Sequence, residues 1–261
     1  MSKVLSMKSY VLFLLLGLSF FSCEQLIEII KPTHPKPTTD TCRIKSENGK
    51  EFVYDQEGKL VRIKDYGISY EGPAPLIFVY NEKDQIIQYY VDNGGEGPSR
   101  VFDYDSQGRL TEILHYFEFG MYARNTISYK TDTIVIDYKM GHEVEDDGPL
   151  VLTHHLTTLC FKNEDLVRAY RPANETYQQS FDHTYTYTNT LNKVRDQKKK
   201  LVLLLEDFAN PLMSKHLPAS RRNTQGQNQG TITYTWLFNE QGYPVNNGLT
   251  NQIVYTYECE E

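Results

Sequence analysis

The sequence has no apolar run long enough to cross a bilayer as a helix. Its one sustained stretch, Tyr10 to Phe21, is free of charge but well short of the roughly 20 residues such a span needs. Cysteine is scarce, with four in 261 residues, and no pair has the spacing of a zinc site. Basic charge is not in excess: 27 Lys and Arg face 34 acidic residues, a net charge of −7, which argues against a nucleic-acid partner needing a basic face. The one basic cluster, Lys193 to Lys200, reads as a solvated loop or strand end. No glycine loop follows a strand and opens a helix, since Gly94-Gly95-Glu96-Gly97-Pro98 runs into a strand pattern, and there is no nucleophile elbow. Nothing asks for a cofactor.

What is present begins with export. Lys3 and Lys8 precede the apolar stretch, which ends Leu18-Ser19-Phe20-Phe21-Ser22-Cys23. This resembles the lipobox of bacterial lipoproteins, and Phe20 and Phe21 resemble the relaxed form found in Bacteroidota. The resemblance implies a signal peptide over 1–22, cleavage before Cys23, and lipid on that thiol holding the chain to the outer membrane, with the periplasmic or cell-surface face left open. Three prolines in KPTHPKPTTDT, residues 31–41, favour an extended tether, so 23–41 is read as anchor and spacer and 42–261 as the folded domain. With Cys23 lipidated, Cys42, Cys160 and Cys259 remain, an odd number. Either Cys42 and Cys259 join the two ends of the domain in an oxidising compartment, or the thiols are free and buried.

The domain carries an internal repeat. Phe52-Val53-Tyr54-Asp55-Gln56-Glu57-Gly58-Lys59-Leu60 aligns with Phe102-Asp103-Tyr104-Asp105-Ser106-Gln107-Gly108-Arg109-Leu110, with a weaker copy at Phe78 to Ile86. Tyr54, Tyr80, Tyr104 and Tyr129 recur every 24 to 26 residues, and degenerate copies follow at Phe161 to Leu166, Tyr187 to Asn189 and Phe238 to Tyr243. Each unit reads as a β-hairpin. Asp55 or Asp105 starts the turn by accepting backbone hydrogen bonds, and Gly58, Gly108 or Gly242 takes the left-handed conformation that closes it. Asp84 stands in that place in the weak copy. Leu60 and Ile63 are three apart, as are Leu110 and Ile113, which breaks the period of two and implies a bulge or strong twist.

Further strands are expected at 127–129, 133–136, 150–161, 183–187, 231–238 and 253–257, rich in Tyr, Thr and β-branched residues. The fold class is all-β: an antiparallel meander of repeated hairpins forming a twisted open sheet or partial barrel. At most one short helix is expected, at 199–208 (KKLVLLLEDF), where a buried strand is the alternative. The aromatic-x-Tyr-Asp-x-x-Gly-x-Leu unit resembles the YD repeat of Rhs-type shell proteins. Together with the lipobox and the closing Tyr255-Thr256-Tyr257-Glu258-Cys259, the chain resembles Bacteroides lipoproteins of unknown function that carry a few such units. The resemblance implies a fold and no activity.

Candidate chemistry is thin. Asp55 and Asp105 would suit a glycoside hydrolase if paired across a cleft, but turn formation already explains them. His154 and His155 are neighbours in a strand and point apart, so they do not chelate one metal. The acidic stretch around His142-Glu143 and Glu145-Asp146-Asp147 lacks the ordered ligand spacing of a calcium loop. Tyr89, Tyr90, Tyr116, Phe119 and Trp236 are candidate outward aromatics for a glycan or an envelope protein, against the alternative that they brace the sheet. Asp132-Thr133-Ile134 resembles the short O-glycosylation acceptor of Bacteroides, with Thr133 as the acceptor. The expectation is a non-catalytic, lipid-anchored module presenting an aromatic β surface, with a glycan-active hydrolase or its glycan-binding accessory as the alternative.

Overall fold

A computed structural model describes residues 42–69, 72–92, 99–117, 120–142, 150–198, 205, 207–225, 229–249 and 254–259. Cys23, the tether, Phe119, the glycine-rich 94–98 segment, the acidic residues 143–147 and most of the 199–208 segment lie outside them.

The chain is a meander. Its strands are β1 (Cys42–Glu47), β2 (Lys50–Tyr54), β3 (Leu60–Ser69), β4 (Gly72–Tyr80), β5 (Ile86–Val91), β6 (Ser99–Tyr104), β7 (Leu110–Tyr116), β8 (Met121–Lys130) and β9 (Thr133–His142). They continue as β10 (Leu150–Lys162), β11 (Asp165–Arg171), β12 (Phe181–Leu191), β13 (His216–Asn223), β14 (Gly230–Thr233), β15 (Leu237–Phe238), β16 (Pro244–Asn246) and β17 (Tyr255–Cys259). Fourteen follow one another from β14 to β1, and β17 adds beside β1, giving a 15-stranded antiparallel sheet that is open between β14 and β17. The segment expected as one strand at 231–238 is broken instead. Tyr234 to Trp236 leave the ladder, Trp236 Nε1 donates to the Pro218 carbonyl at 2.8 Å, and β15 pairs only with β16.

Each repeat closes as its sequence dictates. Asp105 Oδ1 accepts from the Gln107 and Arg109 amides at 2.9 Å, and Asp55 Oδ1 does the same for Glu57 and Lys59. Gly58, Gly108 and Gly242 have φ of 81°, 77° and 75°, and Asp84 has φ 59°. A Gly108→Ala variant is expected to lose about 1–2 kcal/mol in urea unfolding, because a Cβ is strained at that φ. Beyond the turn, Tyr54 pairs with Leu60 and Val53 with Arg62, leaving Val61 as the extra residue of a bulge. The same offset recurs at β4/β5, β6/β7, β10/β11 and β15/β16. It turns both Leu110 and Ile113 into the core.

Tyrosine hydroxyls then stitch one repeat to the previous one. Tyr80 donates to the carbonyl of Leu60 at 2.7 Å, Tyr104 to Ile86 at 2.7 Å, Tyr129 to Leu110 at 2.6 Å and Tyr187 to Leu166 at 2.6 Å. Tyr257 donates to Pro244 in the same way. In every case the acceptor is the residue just before the bulge. Burial pushes these phenols well above their ordinary range. Tyr104→Phe is expected to cost about 1–2 kcal/mol by chemical denaturation, whereas the same change at exposed Tyr116 costs close to nothing.

The two faces of the sheet differ in kind. Ile63, Leu76, Phe78, Phe102, Ile113, Ile136 and Leu159 lie on one face in a continuous core. The non-repeating segment between β12 and β13 covers part of it with Val194, Phe208, Leu212 and Met213. That segment forms one helical turn at 195–198 and a short 3-10 turn, Pro211–Met213. Gln197 fastens it to β1, accepting from the Ile44 amide at 2.8 Å and donating to the Cys42 carbonyl at 3.0 Å. The opposite face carries Lys64–Glu51, Arg124–Glu112, Lys139–Asp137 and Arg168–Asp182 ion pairs. Cys42 lies opposite Cys259 in the β1/β17 ladder and is joined to it by a disulfide, and Cys160 is free.

Candidate functional site

The turn carboxylates are structural. Asp105 is occupied by two backbone amides and by Arg109 Nε at 2.7 Å. Burial alone would raise its pKa, but these donors outweigh that and hold it below the ordinary carboxylate value.

The aromatic candidates separate. Tyr89 is a core residue, 1% exposed and packed against Phe78 and Phe102, so it presents no binding surface. Tyr90, its neighbour on the opposite face of the strand, is half-buried. Trp236 is half-buried, stacked on Tyr234 and tied to Pro218, which assigns it a bracing role. Tyr116 is exposed, as is Phe117 beside it. Thr133 opens β9, half-buried next to the hairpin turn.

His154 and His155 do point apart. His154 Nε2 meets Asp137 Oδ1 at 2.7 Å on the charged face. His155 is buried on the other, its ring between Tyr138 at 4.5 Å and Tyr177 at 4.4 Å. His115 is likewise buried, its ring 3.8 Å from that of Phe117. Among the described residues, His115 Nε2 and His155 Nδ1 have no hydrogen-bond partner. Burial first, and then Arg100 beside His115 and Arg171 beside His155, push both pKa values down to about 4.

A cavity of about 250 Å³ lies between the core-side ends of β1–β3 and the segment joining β12 to β13. Phe52, Ile63 and Leu205 give it apolar walls, while Glu47, Lys50, Lys198 and Asp207 bring charge to it. A break in the β3/β4 register between Ile63 and Gly67, with Asp65 at φ 53°, accompanies the arrival of Tyr66 at the same cavity. Lys198 is 3% exposed and ion-paired to Glu47, whose Oε1 also accepts from the Tyr255 hydroxyl at 3.3 Å. The basic cluster is therefore not wholly solvated. Its last described lysine is one of the most deeply buried charges, its pKa lowered by burial against the opposing pull of Glu47. Asp207 is exposed to solvent, yet the surrounding protein desolvates its carboxyl and raises the pKa. Its Oδ2 accepts from Asn210 Nδ2 at 2.7 Å.

Comparison with known proteins adds little to this geometry. No family model matches the chain, and no curated protein matches it. Among solved structures, it is similar to a porin-like protein from Bacteroides vulgatus at 16% identity and a TM-score of 0.45, over 82% of this chain and 98% of that one. It is also similar to a porin-like protein from Bacteroides uniformis at 12% identity and a TM-score of 0.35, over 85% of this chain and 98% of that one. Likeness this slight transfers no role.

The cavity residues were not singled out by sequence reasoning. Glu47 and Lys50 face each other across the β1/β2 turn, but Asp207 is remote from them in the chain and the three belong to no motif. One signal was available: the segment from Asn192 to Lys215 interrupts the hairpin repeat, and an insertion that leaves the meander has to pack somewhere.

Proposed function

We propose that this chain is a lipid-anchored, non-catalytic binding protein of the bacterial envelope that takes a small polar ligand into the cavity between β1–β3 and the inserted segment. The lipobox-like end at Cys23, the proline tether and a disulfide that needs an oxidising compartment all support an exported, anchored domain. The distribution of charge on the sheet supports a domain held outside the bilayer. A membrane barrel leaves its apolar face to lipid, whereas here Val194, Phe208, Leu212 and Met213 of the inserted segment cover part of the apolar face and ion pairs occupy the other.

The cavity carries the binding reading. It places charged side chains beside apolar walls, at a cost in desolvation that a fold built only for stability would avoid.

A hydrolase reading has one observation in its favour: Glu47 and Asp207 line the same cavity in different environments, one ion-paired and one with a raised pKa. Size weighs against it. A volume of about 250 Å³ is below the roughly 300–1,000 Å³ of sites for drug-sized ligands, leaving little room for two sugars and an attacking water.

Thermal unfolding of the mature protein against a panel of sugars, amino acids and short peptides tests the proposal. At least one compound raises Tm, and a Leu205→Trp variant, which fills the cavity, loses that response. A panel without effect, a response that survives Leu205→Trp, or release of reducing sugar from an oligosaccharide would contradict it.

A further inference from the structure

The charges around the cavity do not balance in pairs. Lys198 and Glu47 neutralise each other, and Tyr255 completes that cluster. Lys50 and Asp207 are left. The Lys50 ammonium rests 4.4 Å from the centroid of the Tyr66 ring, and among the described residues no carboxylate lies within ion-pair distance of it. Asp207 is bonded through Oδ2 to a neutral amide and makes no ion pair with any described residue. Among the described residues, one cation and one carboxyl thus reach the same cavity without an ion-pair partner, although Lys198 and Arg221 act on Asp207 at longer range, above apolar walls of Phe52, Ile63 and Leu205.

We propose that the ligand is a zwitterion of amino-acid or dipeptide size: its carboxylate on Lys50, its ammonium on Asp207, and an apolar side chain against Phe52, Ile63 and Leu205. This rests on the cavity being a binding site and names what it binds. A neutral sugar fits less well on two grounds. It would satisfy neither charge with an opposite one, and the aromatic ring it would stack on, Tyr66, already has Lys50 over its face. A simple anion would leave Asp207 facing like charge, and a simple cation would do the same to Lys50. Only a ligand with both charges meets each of the two groups with an opposite one. The cavity volume of about 250 Å³ suits a single amino acid or a small dipeptide.

Calorimetric titration of the mature, lipidated protein in detergent tests this with four probes: leucine, N-acetyl-leucine, leucinamide and glucose. Leucine binds, and blocking either its amine or its carboxylate weakens binding at least tenfold. Lys50→Met removes the preference for leucine over leucinamide, and Asp207→Asn removes the preference for leucine over N-acetyl-leucine. Circular dichroism confirms that both variants are folded. Equal binding of leucine and its two blocked forms overturns the zwitterion, as does binding of glucose in place of leucine. Glucose binding that Leu205→Trp abolishes would retain the cavity as a binding site with the wrong ligand class assigned. If none of the four probes binds, the zwitterion falls, while the binding reading stands or falls on the wider panel.

Discussion

Reduction of the Cys42–Cys259 disulfide is expected to lower the unfolding free energy by about 3–5 kcal/mol. The bond spans a sequence separation of 217 residues, so it removes loop-closure entropy from nearly the whole unfolded domain. The chain-entropy relation gives roughly 5 kcal/mol for a loop of that size, and strain or residual unfolded structure usually leaves less. Its structural position compounds the effect. β17 has one strand neighbour in the large sheet, β1, and their first described pairing is Cys42 with Cys259. Breaking the crosslink therefore frees the edge strand as well as the chain ends. Guanidinium unfolding of the mature protein with and without reductant measures the loss, and a Cys160→Ser background removes any contribution from the free thiol. An unchanged midpoint on reduction would show that the crosslink carries no stability.

Mild acid is expected to be the second large perturbation. His115 and His155 sit near pKa 4 when folded against an ordinary 6.5, because burial and adjacent guanidinium groups disfavour the imidazolium. Above pH 6.5 both rings are neutral in both states and contribute nothing pH-dependent. Between 6.5 and 4 the unfolded chain takes up protons that the folded chain refuses, so stability falls with pH, by roughly 3 kcal/mol per histidine if the full shift is realised. Below 4 this loss levels off. Asp105, Glu164 and Asp182, whose folded pKa values are lowered, then take over, because their contribution is lost as pH falls below the usual carboxylate range. Urea unfolding at pH 7.5, 6, 5 and 4 measures the slope. His155→Phe keeps a ring between Tyr138 and Tyr177 but cannot titrate, and is expected to remove about half of the part of the slope that His115 and His155 contribute, with His183, also lowered by burial, adding to the remainder. A flat profile from 7 to 4.5 would mean that these rings are protonated as readily in the fold as outside it.

The repeat made much of the architecture readable. Tyr54, Asp55, Gly58 and Leu60 specify a turn through local hydrogen bonding and backbone conformation, and the three-residue gap from Leu60 to Ile63 specifies the bulge, so these features need no knowledge of the rest of the chain. The tyrosine ladder was not readable. Whether the Tyr104 hydroxyl reaches Ile86, eighteen residues earlier, depends on the stagger of successive hairpins. Tyr89 and Tyr90 show the same limit on a smaller scale, since alternation says that they face opposite ways but not which one faces the core. The cavity lies furthest from the sequence, because it joins the ends of β1–β3 to a segment some 150 residues later whose placement is tertiary.

In the proposed reading a water-facing domain is held at the membrane through lipid on Cys23 alone. The most direct test of that reading is expression of residues 24–261 behind an ordinary cleavable secretory leader, followed by fractionation of the periplasm and sedimentation of the product. The account predicts a soluble, folded monomer with the Cys42–Cys259 disulfide formed. Recovery of the folded domain only in the membrane fraction, extractable with detergent but not with salt or carbonate, would contradict it and return the strands to the bilayer.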